Sequence, residues 1–186
     1  MQKRFLDYNL AANTVVFQGL SLPQTGDILQ ASFRTAGSGG TLPQVLCTGA
    51  GGATNLATSQ SLGLCTIPGD LLRAGDRLEL LFDYSHEGAS VGYQVEVRFG
   101  ATPVLFRSAA ASSTLISGRA SLGIHAGGEQ WSTQSWGPGS SLAAEAGAAA
   151  ENLNVTLPVD FRGHMASPAT ETLTLRNFSV VRYPAP

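Results

Sequence analysis

Apolar and polar residues alternate with a period of two along much of the chain. In "RLELLFDY", Leu78, Leu80 and Phe82 fall on one side, with Arg77, Glu79 and Asp83 on the other. "YQVEVRF" repeats the pattern, with Tyr93, Val95, Val97 and Phe99 against Gln94, Glu96 and Arg98. Strict alternation of this kind predicts half-buried β-strands. The intervening "SHEGASVG" has two glycines and no period, which predicts a hairpin loop between them.

More strands are expected downstream. "STLISGRASLGIHAG" sets Ile116, Ala120, Leu122 and Ile124 against Arg119, Ser121 and His125. "ENLNVTLPVDF" alternates Leu153, Val155, Leu157 and Val159 with Asn152, Asn154 and Thr156, and its Pro158 predicts an edge strand or a strand end. In "ETLTLRNFSVVRY", Leu173 and Leu175 oppose Thr172, Thr174 and Arg176, and the apolar phase shifts near Asn177, the signature of a bulge. "TVVFQGLSL", "GDILQASFRTAG" and "PVLFRS" are further strand candidates. "SSLAAEAGAAAEN" favours helix by its alanines but lacks large apolar residues, so a surface loop with one helical turn is expected. Low-complexity stretches at Ala36–Gly40, Thr48–Ser61 and Gly137–Ala150 read as loops between strands. About eight short strands without helical periodicity predict an all-β fold: an antiparallel β-sandwich of the jelly-roll sort. One domain over residues 1–186 is expected, with 66–183 as its core and 1–65 a candidate attachment segment.

Composition narrows the function classes. The 186 residues carry a formal net charge of −2, and the eleven basic residues are scattered rather than clustered, which argues against a nucleic-acid partner. Charged residues make up only 13%, about half the ~25% of an average globular domain. So sparse a charge pattern predicts surface covered by copies of the chain or by partners. There is no apolar run of transmembrane length, and "MQKRFLDYNLAANTVVFQG" has no secretory h-region. A disulfide closing the loop between Cys47 and Cys65 is one reading; without such a signal the favoured reading is two small, partly buried thiols.

No catalytic constellation emerges. Asp76 follows Gly75 in a turn, where an Asp bonds nearby backbone amides, and Glu79 and Asp83 fall on the wet side of a strand. Four strand residues separate Glu79 from Asp83 by about 13 Å, beyond the roughly 5–9.5 Å of glycosidase carboxylates. His86, His125 and His164 are not spaced as metal ligands, and the sequence holds no nucleophile elbow and no phosphate loop. Neither cofactor nor metal is expected. The remaining candidate is "HAGGEQWSTQSWGPGSS", with Trp131 and Trp136 in a polar, glycine-rich setting. Exposed tryptophans stack on sugar rings, with Glu129, Gln130 and Gln134 as hydroxyl partners. The competing reading sends Trp131 into the core and places Trp136 over a sandwich end or a subunit contact.

Taken in order, "TIPGDLLRAGDRLELLFDY", "VEVRFGATPVLF", the Gly-rich segment ending in "EQW", "NLNVTLPVDF" and "TETLTLRNFSVVRY" form a succession. It resembles the jelly-roll domains of tail-fibre, head-fibre, spike and decoration proteins from tailed phages and phage-like gene transfer agents. The resemblance covers roughly Thr66 to Tyr183. Ala101 stands where such proteins commonly have a second glycine. The resemblance implies a non-enzymatic virion protein, assembled in the host cytoplasm, forming homotrimers and contacting other capsid or tail proteins and a host-surface glycan. It brings no catalytic residue with it. The alternative is a stand-alone bacterial carbohydrate-binding module. A glycan-degrading enzyme is disfavoured by the missing carboxylate pair.

Overall fold

The computed structural model describes residues 8–11, 14–17, 42–137 and 147–186, with side chains over 42–133 and 148–186. Its strands are β1 (Tyr8–Ala11), β2 (Thr14–Phe17), β3 (Gln44–Gly49), β4 (Ala53–Thr54), β5 (Gln60–Ile67), β6 (Arg77–Glu87) and β7 (Tyr93–Phe99). They continue with β8 (Thr102–Ala109), β9 (Leu115–Ile124), β10 (Gln130–Gly137), β11 (Gly147–Ala149), β12 (Leu157–Met165) and β13 (Thr172–Tyr183). The chain divides into two units, Met1–Gly39 and Gly40–Pro186. In the first, β1 and β2 pair as an antiparallel hairpin from Tyr8↔Phe17 to Ala11↔Thr14. The strand expected in "GDILQASFRTAG" and the loop at Ala36–Gly40 lie outside the described residues.

The second unit is an all-β sandwich. One sheet runs β11-β10-β9-β6-β13-β3, with β4 also on β13, and the other runs β5-β12-β7-β8. Leaving aside β4, β10 and β11, eight strands remain. The first sheet orders them first, eighth, third and sixth, and the second orders them second, seventh, fourth and fifth. This is the strand order of a jelly roll, two interlocked Greek keys. Alternation explains why two sheets form: each strand has one apolar face, and the two sheets bury those faces against each other. The expected inward residues of β6, β7 and β9 are buried. Phe161 of the four-stranded sheet lies 6.1 Å from Phe82 and 4.8 Å from Phe178 of the seven-stranded one, interlocking the layers. Removing such a ring costs about 3–5 kcal/mol.

Five local expectations change. β6 runs on through Ser85 and His86, both buried, and it lies in a different sheet from β7, so the chain crosses the sandwich there instead of forming a hairpin. Alternation reports which face a residue occupies and is silent on which strand lies next to it. Pro158 is neither edge nor end, because β12 lies between β5 and β7. The proline is tolerated as the strand's second residue, before pairing with β7 begins at Val159. Residues Glu151–Thr156 are outside any strand. Gly147–Ala149, within the segment read as a loop, forms a strand on β10, and 140–146 lie outside the described residues. The bulge near Asn177 is present, as a register shift between Leu175 and Asn177.

The fifth change concerns the cysteines. Cys47 of β3 and Cys65 of β5 form a disulfide with Cα atoms 5.7 Å apart, joining one sheet to the other. The reading of two thiols fails because β3 and β5, separated in sequence only by the two-residue β4, face each other across the sandwich. A loop closed across 18 residues loses enough unfolded-state entropy to stabilise the fold by about 3 kcal/mol.

Candidate functional site

Asp76 is a structural anchor. Its carboxylate accepts hydrogen bonds from the backbone N–H of Arg73 (3.0 Å) and of Ala185 (2.8 Å), as expected of a turn aspartate. It also pairs with Arg182, whose Nε donates to Oδ2 at 2.7 Å and whose Nη2 donates to the same oxygen. Both side chains are almost fully buried. Arg182 sits on the inward side of β13, a position alternation assigns to an apolar residue. The sequence gives no sign of this pair, which ties the chain's last strand to the start of β6.

A second anchor holds the β6–β7 crossing. Glu171 accepts from the backbone N–H groups of Ser90 (2.7 Å), Val91 (2.9 Å) and Ala89 (3.0 Å). The bond from Ser90, helped by those from Val91 and Ala89, holds its carboxyl down to about 2 against the opposing effect of burial. The buried His86 places Nε2 3.2 Å from Glu171 Oε2 and packs its ring on Tyr93. Neither His86 nitrogen makes a hydrogen bond among the described residues.

The outward face of the four-stranded sheet carries a ladder of paired charges. Register places Asp160 beside Arg98 and Arg162 beside Glu96. Arg162 Nη1 donates to Asp160 at 2.6 Å, Ser61 Oγ donates to the same carboxylate at 2.5 Å, and Arg98 Nε donates to Glu96. The other Arg162 nitrogens donate to Ser59 Oγ (3.0 Å) and to its carbonyl (2.9 Å). The bond to Glu96 raises the Arg98 guanidinium further above its ordinary value. Beneath the ladder, burial raises the Tyr84 phenol well above its usual range, and the Asp160 and Glu96 charges add to it. Sequence reasoning missed these two carboxylates on neighbouring strands. Each is engaged by a guanidinium of its own strand.

The seven-stranded sheet's outward face differs at the end near the β9–β10 turn. Register aligns Tyr183 with Arg77, Arg77 with Gly123, and Gly123 with Trp131 across β13, β6, β9 and β10. The turn "HAGGE" brings His125 back beside Trp131. Gly128 N–H donates to the His125 carbonyl, and Gly127 takes the positive φ of 93° that such a tight turn needs. The His125 and Trp131 rings pack at a tilt of 42° with centroids 4.5 Å apart. Trp131 is 54% exposed and Tyr183 43%, so Trp131 continues its strand but faces out, away from the core. Gly123 forms the floor: a Cβ there would lie 3.5 Å from His125 Nε2 and 3.8 Å from Arg77 Nη2. Arg77 Nη1 donates to Ser121 Oγ at 2.6 Å, and no carboxylate lies within ion-pairing distance of Arg77 among the described residues.

The other expected site residues are placed differently. Gln130 is fully buried, and its amide is spent inside the fold. It donates to the Glu151 carbonyl at 3.1 Å and to that of Gly128, and it accepts from Glu151 N–H at 2.8 Å. It is a structural clamp and not a hydroxyl partner. Glu129 is exposed in the turn. The backbones of Gln134 and Trp136 pair with Ala120 and Gly118 of β9, and their side chains lie outside the described residues. Among the described residues no cluster of three or more His, Cys, Asp or Glu could hold a metal, and no helix is long and apolar enough to cross a membrane. No protein-family model, curated protein or solved structure matches the chain significantly.

Proposed function

We propose that this chain is a non-enzymatic jelly-roll subunit of a phage or phage-like particle, a fibre, spike or decoration protein that contributes to attachment at a host surface. The observation that carries the reading is the strand order of the sandwich, an order used by viral capsid and lectin domains. The order of sequence segments that resembles phage jelly rolls points the same way. The Cys47–Cys65 disulfide suits a protein that works outside the reducing cytosol, where virion surfaces and secreted proteins keep such bonds. In this reading the subunits self-associate, as homotrimers, and multivalent display turns weak single contacts into useful avidity.

The test is physical association with particles. An antibody raised to the chain should label sedimented particles in negative-stain micrographs, and the chain should co-sediment with capsid or tail proteins. Recovery solely in the soluble fraction would contradict the proposal. It would favour a stand-alone carbohydrate-binding module, the second reading, which draws on the exposed Trp131 and its ring contact with His125.

A further inference from the structure

We infer that the outward face of the seven-stranded sheet carries a binding site for a carboxylate-bearing sugar, with Arg77 and His125, exposed side chains that close over Gly123, holding the acid group and Trp131 stacking on the ring. The inference rests on the reading of the chain as an attachment module and names the ligand class for it.

Arg77 supplies the charge. A guanidinium has five N–H donors. Ser121 Oγ takes a bond from Nη1, and Nη2 lies over the buried Gly123, 3.8 Å from where its Cβ would be. Glu79, two positions along the same face of β6, forms no ion pair with it. Arginine prefers planar, bidentate acceptors, and a carboxylate fits that fork.

His125 Nε2 reaches the same spot, 3.5 Å from where a Gly123 Cβ would be, so two nitrogen groups come together over one buried glycine. The missing side chain lets the guanidinium and the imidazole close over the backbone side by side, and a larger residue at 123 would push them apart.

Trp131 supplies the apolar platform. Its ring packs at a tilt against His125, which limits the entropy lost when a sugar ring stacks on it. Tyr183 bounds the row on the opposite side of Arg77, and three strand spacings put it about 14 Å from Trp131. That span admits more than one sugar unit. A neutral sugar would use Trp131 and leave the guanidinium without an ionic partner, which is why the acid is specified.

The test is isothermal titration of the full chain with two acidic oligosaccharides, trigalacturonic acid and 3′-sialyllactose. Methyl-esterified trigalacturonic acid and lactose serve as their neutral counterparts. At least one acid should bind about tenfold or more tightly than its neutral counterpart, the equivalent of one charge-assisted hydrogen bond. Arg77→Ala should erase that preference, Gly123→Gln should weaken the acid selectively, and Trp131→Ala should weaken acid and neutral forms alike. Circular dichroism checks that each variant folds. Two results would overturn the inference: equal affinity for acid and neutral forms, absence of binding included, or a preference that survives Arg77→Ala. The attachment reading stands through either result, because it fails on a different observation, the absence of the chain from particles.

Discussion

The outward faces of the two sheets use arginine in opposite ways. On the four-stranded sheet, Arg98 and Arg162 each bond a carboxylate on their own strand, and Arg162 takes up Ser59 as well. On the seven-stranded sheet, Arg77 holds a single serine hydroxyl beside an exposed tryptophan and over a buried glycine. All three arginines lie on outward strand positions, where alternation puts polar residues. The difference lies in their cross-strand neighbours. A guanidinium matched to a carboxylate spends its charge on the fold, whereas one set between Gly123 and Tyr183 keeps its charge for something else.

The deepest cut into this contrast is at the buried pair next door to Arg77. Arg182→Ala leaves the Asp76 carboxylate buried with only backbone partners, and should destabilise the fold by about 3–5 kcal/mol in urea unfolding. Next in size is the disulfide. Cys47→Ser with Cys65→Ser should cost about 3 kcal/mol, and the addition of a reductant should leave that double variant's unfolding midpoint unchanged while lowering the wild type's. Arg162→Ala takes the guanidinium from a largely buried Asp160 and should cost about 1–3 kcal/mol.

The crossing anchor gives a pH signature. Glu171 is held down to about 2 in the folded state, below its ordinary value of 4.5, so its contribution is fully present above that ordinary value. The contribution is lost as pH falls through the window from 4.5 towards about 2. Wild type should therefore be more stable than Glu171→Gln at neutral pH, and the gap should close across that acid window. A gap that stays constant to pH 2 would mean that the carboxylate's charge is not what secures Ala89–Val91.

Much of the architecture was legible because a half-buried strand must alternate. The inward faces of β6, β7 and β9 could be named residue by residue, and the phase break after Leu175 located the bulge. What alternation cannot convey is adjacency. That β6 and β7 part into different sheets, that Pro158 sits inside one, and that Cys47 meets Cys65 all depend on strand order. The site failed to show for the same reason. Trp131 stood out by its type, and Gln130 was taken with it as a neighbour in sequence, although neighbours along a strand face opposite ways. Arg77 reads as a wet strand residue, and Gly123 and Tyr183 carry no signal of their own until register places them in one row with Trp131.

The same substitution on the two faces is the sharpest comparison. Arg77→Ala and Arg162→Ala would be measured side by side, by urea unfolding and by titration with the acidic oligosaccharides. Arg77→Ala should stay within about 0.5 kcal/mol of wild-type stability and lose the preference for acid, while Arg162→Ala should lose stability and keep that preference. If Arg77→Ala unfolds as readily as Arg162→Ala and leaves binding untouched, Arg77 is one more structural arginine, and the functional contrast between the faces falls.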